Sequence, residues 1–462
     1  MTTPAKKTAA AAPPPATPAA KKAAPPKKAA AKKAPAKRTT TKKPASTATR
    51  ATTRTKPRRD HDLVVFGATG FTGRLVAAYL ATHAPAHLSI ALAGRSESKL
   101  AQIRDDIGGR AQQCPLVVAN SDDPASLAKM AAGTRALITT VGPYAKYGLP
   151  VVAACAEAGT NYCDLTGEVL FMRDSIDQFD TVARSNKARI VHSCGFDSIP
   201  SDLGVLALSL ALAADDPKSR MQRTRLIVTA AKGGISGGTI ASGFNELDRS
   251  RDDPRAAKIL ADPYSLSPDR SKEPADGDSD PRSAIHDDIV GTWAAPFFMG
   301  PINSRVVRRS NALSDYAYGT QFRYAEYLAT ADGVGGRLAA SGMALGMAAG
   351  EAAMNLSPLR ALAEKVLPEP GSGPGDATRA KGYFRILLHT RSTAGVPYRA
   401  KVAAKGDPGY AATAMMLATT GVTLAGDGLP RTYGVLTPAT GIGELLITNL
   451  KLAGMTIEAA RV

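Results

Sequence analysis

The sequence predicts an α/β protein: a doubly wound parallel sheet, then a second α+β domain containing an antiparallel sheet, behind a disordered N-terminal tail. Three observations carry this. Between residues 62 and 200, short apolar runs alternate with helical patterns, which implies right-handed crossovers and a parallel sheet. Further on, residues 383–389 and 396–403 read as paired antiparallel strands. Residues 2–59 hold no aliphatic side chain larger than Ala, no aromatic and no Gly. Nothing there offsets the entropy of ordering the chain.

The charge follows the same division. The chain of 462 residues has a formal net charge of +18. Residues 1–59 contribute 12 Lys and 5 Arg with no Asp or Glu, leaving a body of 41 basic and 40 acidic residues. The basicity therefore belongs to the tail. Such a tail can tether electrostatically to nucleic acid or to an anionic membrane face. With no aromatic interleaved for base stacking, a solvated extension without a specific partner is the favoured reading. Four cysteines in no CxxC spacing suggest neither a zinc site nor a disulfide framework. No metal-ligand cluster and no Ser/His/Asp arrangement stands out. The N-terminus lacks the apolar stretch of a secretory signal, and its prolines would break a transit-peptide helix. A cytoplasmic protein, in one reading peripheral at a membrane, is expected.

The elements can be taken in order. Leu63-Val64-Val65-Phe66 reads as a buried strand that runs into Gly67-Ala68-Thr69-Gly70-Phe71-Thr72-Gly73. A helix follows, with Leu75, Val76, Tyr79 and Leu80 on the side of Phe71. Strand, glycine turn, helix is the context of a Rossmann-type dinucleotide site: the turn lets backbone approach a pyrophosphate, which sits on the free N–H groups of the helix start. The second strand, 88–94, ends at Arg95, Ser96 and Lys99, where an NAD enzyme would carry Asp or Glu. Arg there can hold a 2′-phosphate, so NADP(H) is the expected cofactor. A third strand at 116–119 ends in Asn120, Ser121 and Asp122, and a fourth at 136–141 ends in Gly142-Pro143-Tyr144. Pro150 opens a helix to about residue 158. Strands at 162–165 and 189–194 are closed by Thr166-Gly167-Glu168 and by Gly195-Phe196-Asp197-Ser198.

In the second half, 223–231 reads as a strand and 251–290, rich in Asp and Pro, as a long mobile loop. Residues 410–424 read as a helix buried on one face. Aromatics between 293 and 327 form either a wall for an apolar substrate or the domain's own core, with the core favoured. The apolar run 338–350, with Gly342, Gly346 and Gly350, is 13 residues long, short of the roughly 20 needed to cross a bilayer. A packed helix or homodimer contact is favoured there over insertion into a membrane surface. The expected organisation is a tail (1–59), an NADP-binding domain (60–205), and a substrate and dimerisation domain (206–462) whose last part packs back on the first.

The motifs GATGFTG, AGR, TTVGPY, YCDLTGE and SCGFDSIPSDLG together resemble the saccharopine dehydrogenase-like family, and within it the actinobacterial trans-acting enoyl reductases. Gly237–Ser242, 406–410 and 437–443 resemble its later signatures, so the resemblance spans roughly residues 60–462. It implies reduction of a carbon–carbon double bond in an apolar acyl thioester held on a carrier protein. Saccharopine-type chemistry on a carbon–nitrogen bond, and a non-catalytic NADP-binding protein, are the alternatives. An enoyl reductase needs a hydrogen bond to the thioester oxygen and a proton for the α-carbon. Tyr144 and Asp197, at the carboxyl edge of the sheet, are the candidate catalytic groups, with Ser198, Lys146 and Tyr147 nearby. His192 and Cys194 read as core residues.

Overall fold

The computed structural model describes residues 59–234, 237–274, 278–354 and 373–462. The expected tail lies outside them, apart from Arg59. That side chain belongs to the folded body: its guanidinium donates to the carbonyls of Ala131 at 3.0 Å and Ala158 at 2.6 Å.

The first sheet has seven parallel strands: β1 (His61–Phe66), β2 (Ile90–Gly94), β3 (Leu116–Val118), β4 (Thr134–Thr139), β5 (Asn161–Cys163), β6 (Arg189–Val191) and β13 (Gly434–Leu436). Their order is β13-β6-β5-β4-β1-β2-β3. Strand order reverses between β1 and β4, and that switch point is where a crevice opens above the carboxyl ends of a Rossmann-type sheet. Helices α1 (Phe71–His83), α2 (Glu97–Ile107), α3 (Pro124–Ala132), α4 (Tyr144–Ala158), α5 (Val169–Ser185) and α6 (Ile199–Asp215) follow strands β1 to β6. The central strands are apolar on both faces, as a doubly covered sheet requires: Leu63, Val64, Val65, Leu137 and Ile138 are fully buried.

The second sheet is mixed. It contains β7 (Arg223–Lys232), β8 (Ile285–Asp287), β9 (Thr292–Pro296), β10 (Arg323–Ala329), β11 (Tyr383–Arg391), β12 (Pro397–Lys405) and β14 (Thr456–Arg461), in the order β14-β12-β11-β7-β10-β9-β8. The strands expected at 383–389 and 396–403 are β11 and β12, paired antiparallel from Tyr383↔Lys405 to Arg391↔Pro397. Helix α6 links the two sheets, so the division at 205/206 falls inside a helix. The remaining helices are α7 (Gly237–Asp252), α8 (Pro254–Ala261), α9 (Gly300–Leu313), α10 (Gly333–Met354), α11 (Asp376–Ala380), α12 (Ala411–Ala425), α13 (Pro438–Gly441) and α14 (Glu444–Leu452).

Three expectations are corrected, each for a tertiary reason. First, α4 starts at Tyr144, six residues before Pro150. Its first amides are capped from afar: Glu168 accepts from Tyr144 N at 2.9 Å and Ala145 N at 2.6 Å. Pro150 then lies inside the helix. Second, the 251–290 segment is not a loose loop where it is described. It holds α8 and β8, and its carbonyls are satisfied by three buried arginines of α9. Arg305 donates to Leu260 O at 2.5 Å, Arg308 to Pro263 O at 3.0 Å and Arg309 to Leu266 O at 2.6 Å. Third, α12 is buried almost all round rather than on one face. It packs so closely on β4 that a Cβ at Gly421 would lie 2.4 Å from Ile138. The aromatics between 293 and 327 are mostly core, the favoured of the two expectations: Tyr318, Phe322 and Tyr324 are buried, while Phe298 is exposed. The apolar run 338–350 lies on α10, where Leu338 and Leu345 are exposed. Among the described residues no helix is long and apolar enough to cross a membrane.

Candidate functional site

The glycine turn joins β1 to α1 over the switch point. Gly67 turns the chain at φ +90°, a conformation that costs Gly least. The third glycine is required by contact: a Cβ at Gly73 would sit 2.1 Å from the Gly67 carbonyl oxygen. Gly70 is the N-cap of α1, and no side chain caps the helix. The amides of Phe71, Thr72 and Gly73 precede the first intrahelical bond, Arg74 N to Gly70 O. They therefore remain as donors for an anion at the positive end of the helix.

Two cavities meet over this turn, sharing Gly70, Thr140 and Gly142. The smaller, about 230 Å³, is bordered by Gly67, Thr69, Arg95, Asn120, Ser121 and Asp122. The larger, about 380 Å³, is bordered by Phe71, Thr72, Gly73, Pro143, Tyr144 and Asp197, with Ser242 and Glu246 of α7 on its far wall. Most of the residues singled out in the sequence thus converge on one crevice. Of the cofactor-binding and catalytic candidates three do not line it, and neither do the nearby Ser198 and Lys146. Ala68 is fully buried beneath the turn. The Ser96 hydroxyl caps α2, accepting from Lys99 N at 3.4 Å. Lys99 is exposed outside both cavities.

The larger cavity combines an apolar floor with carboxyl groups. Phe71 and Tyr410 meet edge to face at 5.0 Å and close one side. Burial pushes the Asp197 carboxyl up to about 6, and no side-chain hydrogen bond among the described residues engages it. Burial likewise pushes Glu246 up to about 7, against the Leu170 N–H, which donates to it at 2.6 Å; the neighbouring Glu168 charge adds to the rise. Tyr144 is different from what its position suggested. Its hydroxyl donates to Thr139 O at 3.1 Å and accepts from Leu165 N at 3.4 Å. Burial raises its pKa well above the ordinary phenol value. The phenol is committed to the protein, so Tyr144 offers the cavity a wall and not a free proton.

A family model described as the saccharopine dehydrogenase NADP binding domain matches residues 63–191, the span from β1 to β6. A Mycobacterium tuberculosis relative named among the trans-acting enoyl reductases is 45% identical over 416 residues, covering 87% of this chain and 98% of its own. The trans-acting enoyl reductase of Mycobacterium ulcerans is 41% identical over 416 residues, covering 87% and 99%. The chain belongs to the trans-acting enoyl reductases of the saccharopine dehydrogenase-like family. The solved saccharopine dehydrogenase (L-Glu forming) of Saccharomyces cerevisiae covers 87% of this chain and 99% of its own, at TM-score 0.46 and 12% identity.

As a member of this family the chain is an NADP-dependent oxidoreductase. The crevice fits that cofactor on its own terms. The uncapped start of α1 suits the pyrophosphate, and a Cβ at Gly70 would meet only the Gly67 carbonyl, at 3.4 Å, so the ground above it is open. Arg95 ends β2 exposed, with no hydrogen bond or ion pair among the described residues, ready for a 2′-phosphate.

Sequence reasoning missed Ser242 and Glu246 as site residues. Their i, i+4 spacing puts both on one face of α7, and that spacing was the available signal. It also missed a buried hydrogen-bond chain: His192 sits 2.7 Å from Asp164 through Nδ1 and 2.9 Å from Ser175 through Nε2. These are the residue types of a hydrolytic triad. All three are buried and none lines either cavity, so the chain is structural. Among the described residues no cluster could hold a metal ion.

Proposed function

We propose that this enzyme reduces the carbon–carbon double bond of an enoyl acyl thioester presented on a carrier protein. One observation carries the choice over an amino-acid substrate. Among the described residues, no Lys or Arg lines the larger cavity, whereas two carboxyl groups with raised pKa do. An amino-acid substrate brings a carboxylate that needs a cationic partner. An acyl thioester brings none. The relatives' designation as trans-acting enoyl reductases agrees with this reading.

When bound, NADPH supplies the hydride for the β-carbon. The chain's own residues then have three tasks. The helix start at Phe71–Gly73 would hold the pyrophosphate of the cofactor and Arg95 its 2′-phosphate. Glu246, whose carboxyl is pushed up to about 7, donates a hydrogen bond in its protonated form to the thioester oxygen as charge develops there. Asp197 gives its proton to the α-carbon. Glu168 positions Ser242, whose hydroxyl donates to it at 2.7 Å, and fixes the start of α4 below the site. Tyr144 forms the floor.

The test follows NADPH absorbance while α,β-unsaturated acyl thioesters of increasing chain length are offered, beside a 2-oxo acid paired with an amino acid. Consumption with the thioesters alone is expected. Consumption with the amino-acid pair alone would overturn the proposal in favour of saccharopine-type chemistry.

A further inference from the structure

A second polar cavity, about 460 Å³, opens at the start of β7, the longest strand among the described residues. Arg223 and Arg225 of β7, Arg282, Ser279, Ser283 and Tyr327 border it. Asp278 and Asp280 are also in its wall, and their charge is already taken. Asp280 accepts from Arg305 at 3.0 Å and from the Ser304 hydroxyl at 3.1 Å. Asp278 accepts from Tyr324 N at 2.9 Å and lies 3.6 Å from Arg308. Arg305 and Arg308 are 3% and 2% exposed, so they cannot exchange these carboxylates for water. Arg225 lies 3.2 Å from Asp287, which His389 shares at 2.9 Å. Arg223 and Arg282 are left exposed, their guanidinium groups with no hydrogen bond or ion pair among the described residues. Arg323 stands beside Arg223 in the parallel pairing of β10 with β7, and its Nη1 is buried without an acceptor.

We propose that this cavity is an anion-binding site for a phosphate group, distinct from the cofactor crevice. Guanidinium forks match phosphate oxygens in pairs, and the two serine hydroxyls add neutral donors. The position separates the two sites. Arg223 begins β7, whereas the catalytic cavity takes its α7 wall from the chain just beyond the last residue of β7. The two cavities share no lining residue, and α9 lies against both: Ile302 borders the catalytic cavity, whereas Ser304 and Arg305 hold Asp280 in the wall of this one. A free phosphorylated metabolite and a phospholipid headgroup present the same group.

The test uses the full chain carrying Arg95→Ala, which removes the cofactor's own phosphate contact. Inorganic phosphate is titrated at constant ionic strength, and the melting temperature and heat of binding are read. Saturable stabilisation is expected, with the apparent Kd weakened at least tenfold by Arg223→Ala with Arg282→Ala. Arg282→Ala alone, an exposed and unpartnered change, gives a smaller weakening and guards against misfolding. Vesicles of phosphatidylcholine with phosphatidic acid separate the sources. Co-sedimentation that depends on Arg223 and Arg282 identifies a headgroup, and phosphate binding without it identifies a free ligand. Absence of saturable phosphate binding, or binding unchanged by the double substitution, overturns the proposal. NADPH turnover of the double variant without Arg95→Ala remains at the wild-type level, so this test stands apart from that of the reductase reading.

Discussion

Arg95→Ala is the sharpest perturbation of the cofactor crevice. The guanidinium ends β2 without a partner among the described residues, so its removal breaks no internal bond. Folding stability should stay within about 0.5 kcal/mol of the parent. The role proposed for it is contact with the 2′-phosphate. A charge-assisted hydrogen bond contributes about 1.5–3 kcal/mol. At 1.4 kcal/mol per decade, losing one such contact weakens NADPH binding about 10- to 150-fold. NADH has no 2′-phosphate, and its affinity should not change. The assay is a fluorescence titration of each reduced cofactor, repeated at two salt concentrations, because a phosphate–guanidinium contact weakens with salt. An unchanged Kd for NADPH would refute the assignment. So would an equal loss for NADH, which would mean that Arg95 shapes the cradle and does not read the phosphate.

Other consequences can be checked with the same protein. Gly73→Ala forces a Cβ to 2.1 Å from the Gly67 oxygen, so α1 must move off the turn. A loss of at least about 1–3 kcal/mol in a denaturant melt, together with loss of NADPH binding, is expected. Asp197, with its pKa near 6, is protonated only at acidic to neutral pH, so kcat/KM should fall as pH rises through that value. Asp197→Asn should abolish this limb and reduce turnover about 10²- to 10⁴-fold; an unaltered profile would remove Asp197 from the mechanism. Burial also holds Asp202 up to about 7. A raised carboxyl pKa means that the unfolded chain loses its proton first, so this group's contribution to stability is fully present at low pH. It is lost as pH rises from about 4 through 7, and Asp202→Asn should flatten the thermal-melt profile across that window. Ser175→Ala leaves a ring nitrogen of His192 buried without its partner. A destabilisation of about 1–3 kcal/mol with reductase turnover intact is expected; a parallel loss of turnover would contradict a structural role.

What the sequence determined by itself was local. The glycine turn is legible because a positive φ at residue 67 and a backbone contact at residue 73 admit only small residues, and these constraints lie within seven positions. Arg95 is legible because the end of the second strand of such a unit is fixed by the turn before it. The antiparallel pair β11 and β12 is legible because it is joined by a short connection. The tertiary structure decided whatever depends on partners far along the chain. Tyr144 occupies the expected position, yet its hydroxyl is turned to Thr139 and Leu165. Helix α4 begins early because Glu168, more than twenty residues later, caps it. The Asp- and Pro-rich segment is ordered because arginines of α9 reach its carbonyls across forty residues or more. Ser242 and Glu246 become site residues only when α7 is laid across the cavity. Local backbone geometry is written in neighbouring residues, whereas a side chain's hydrogen-bond partner and its pKa depend on what folding brings beside it.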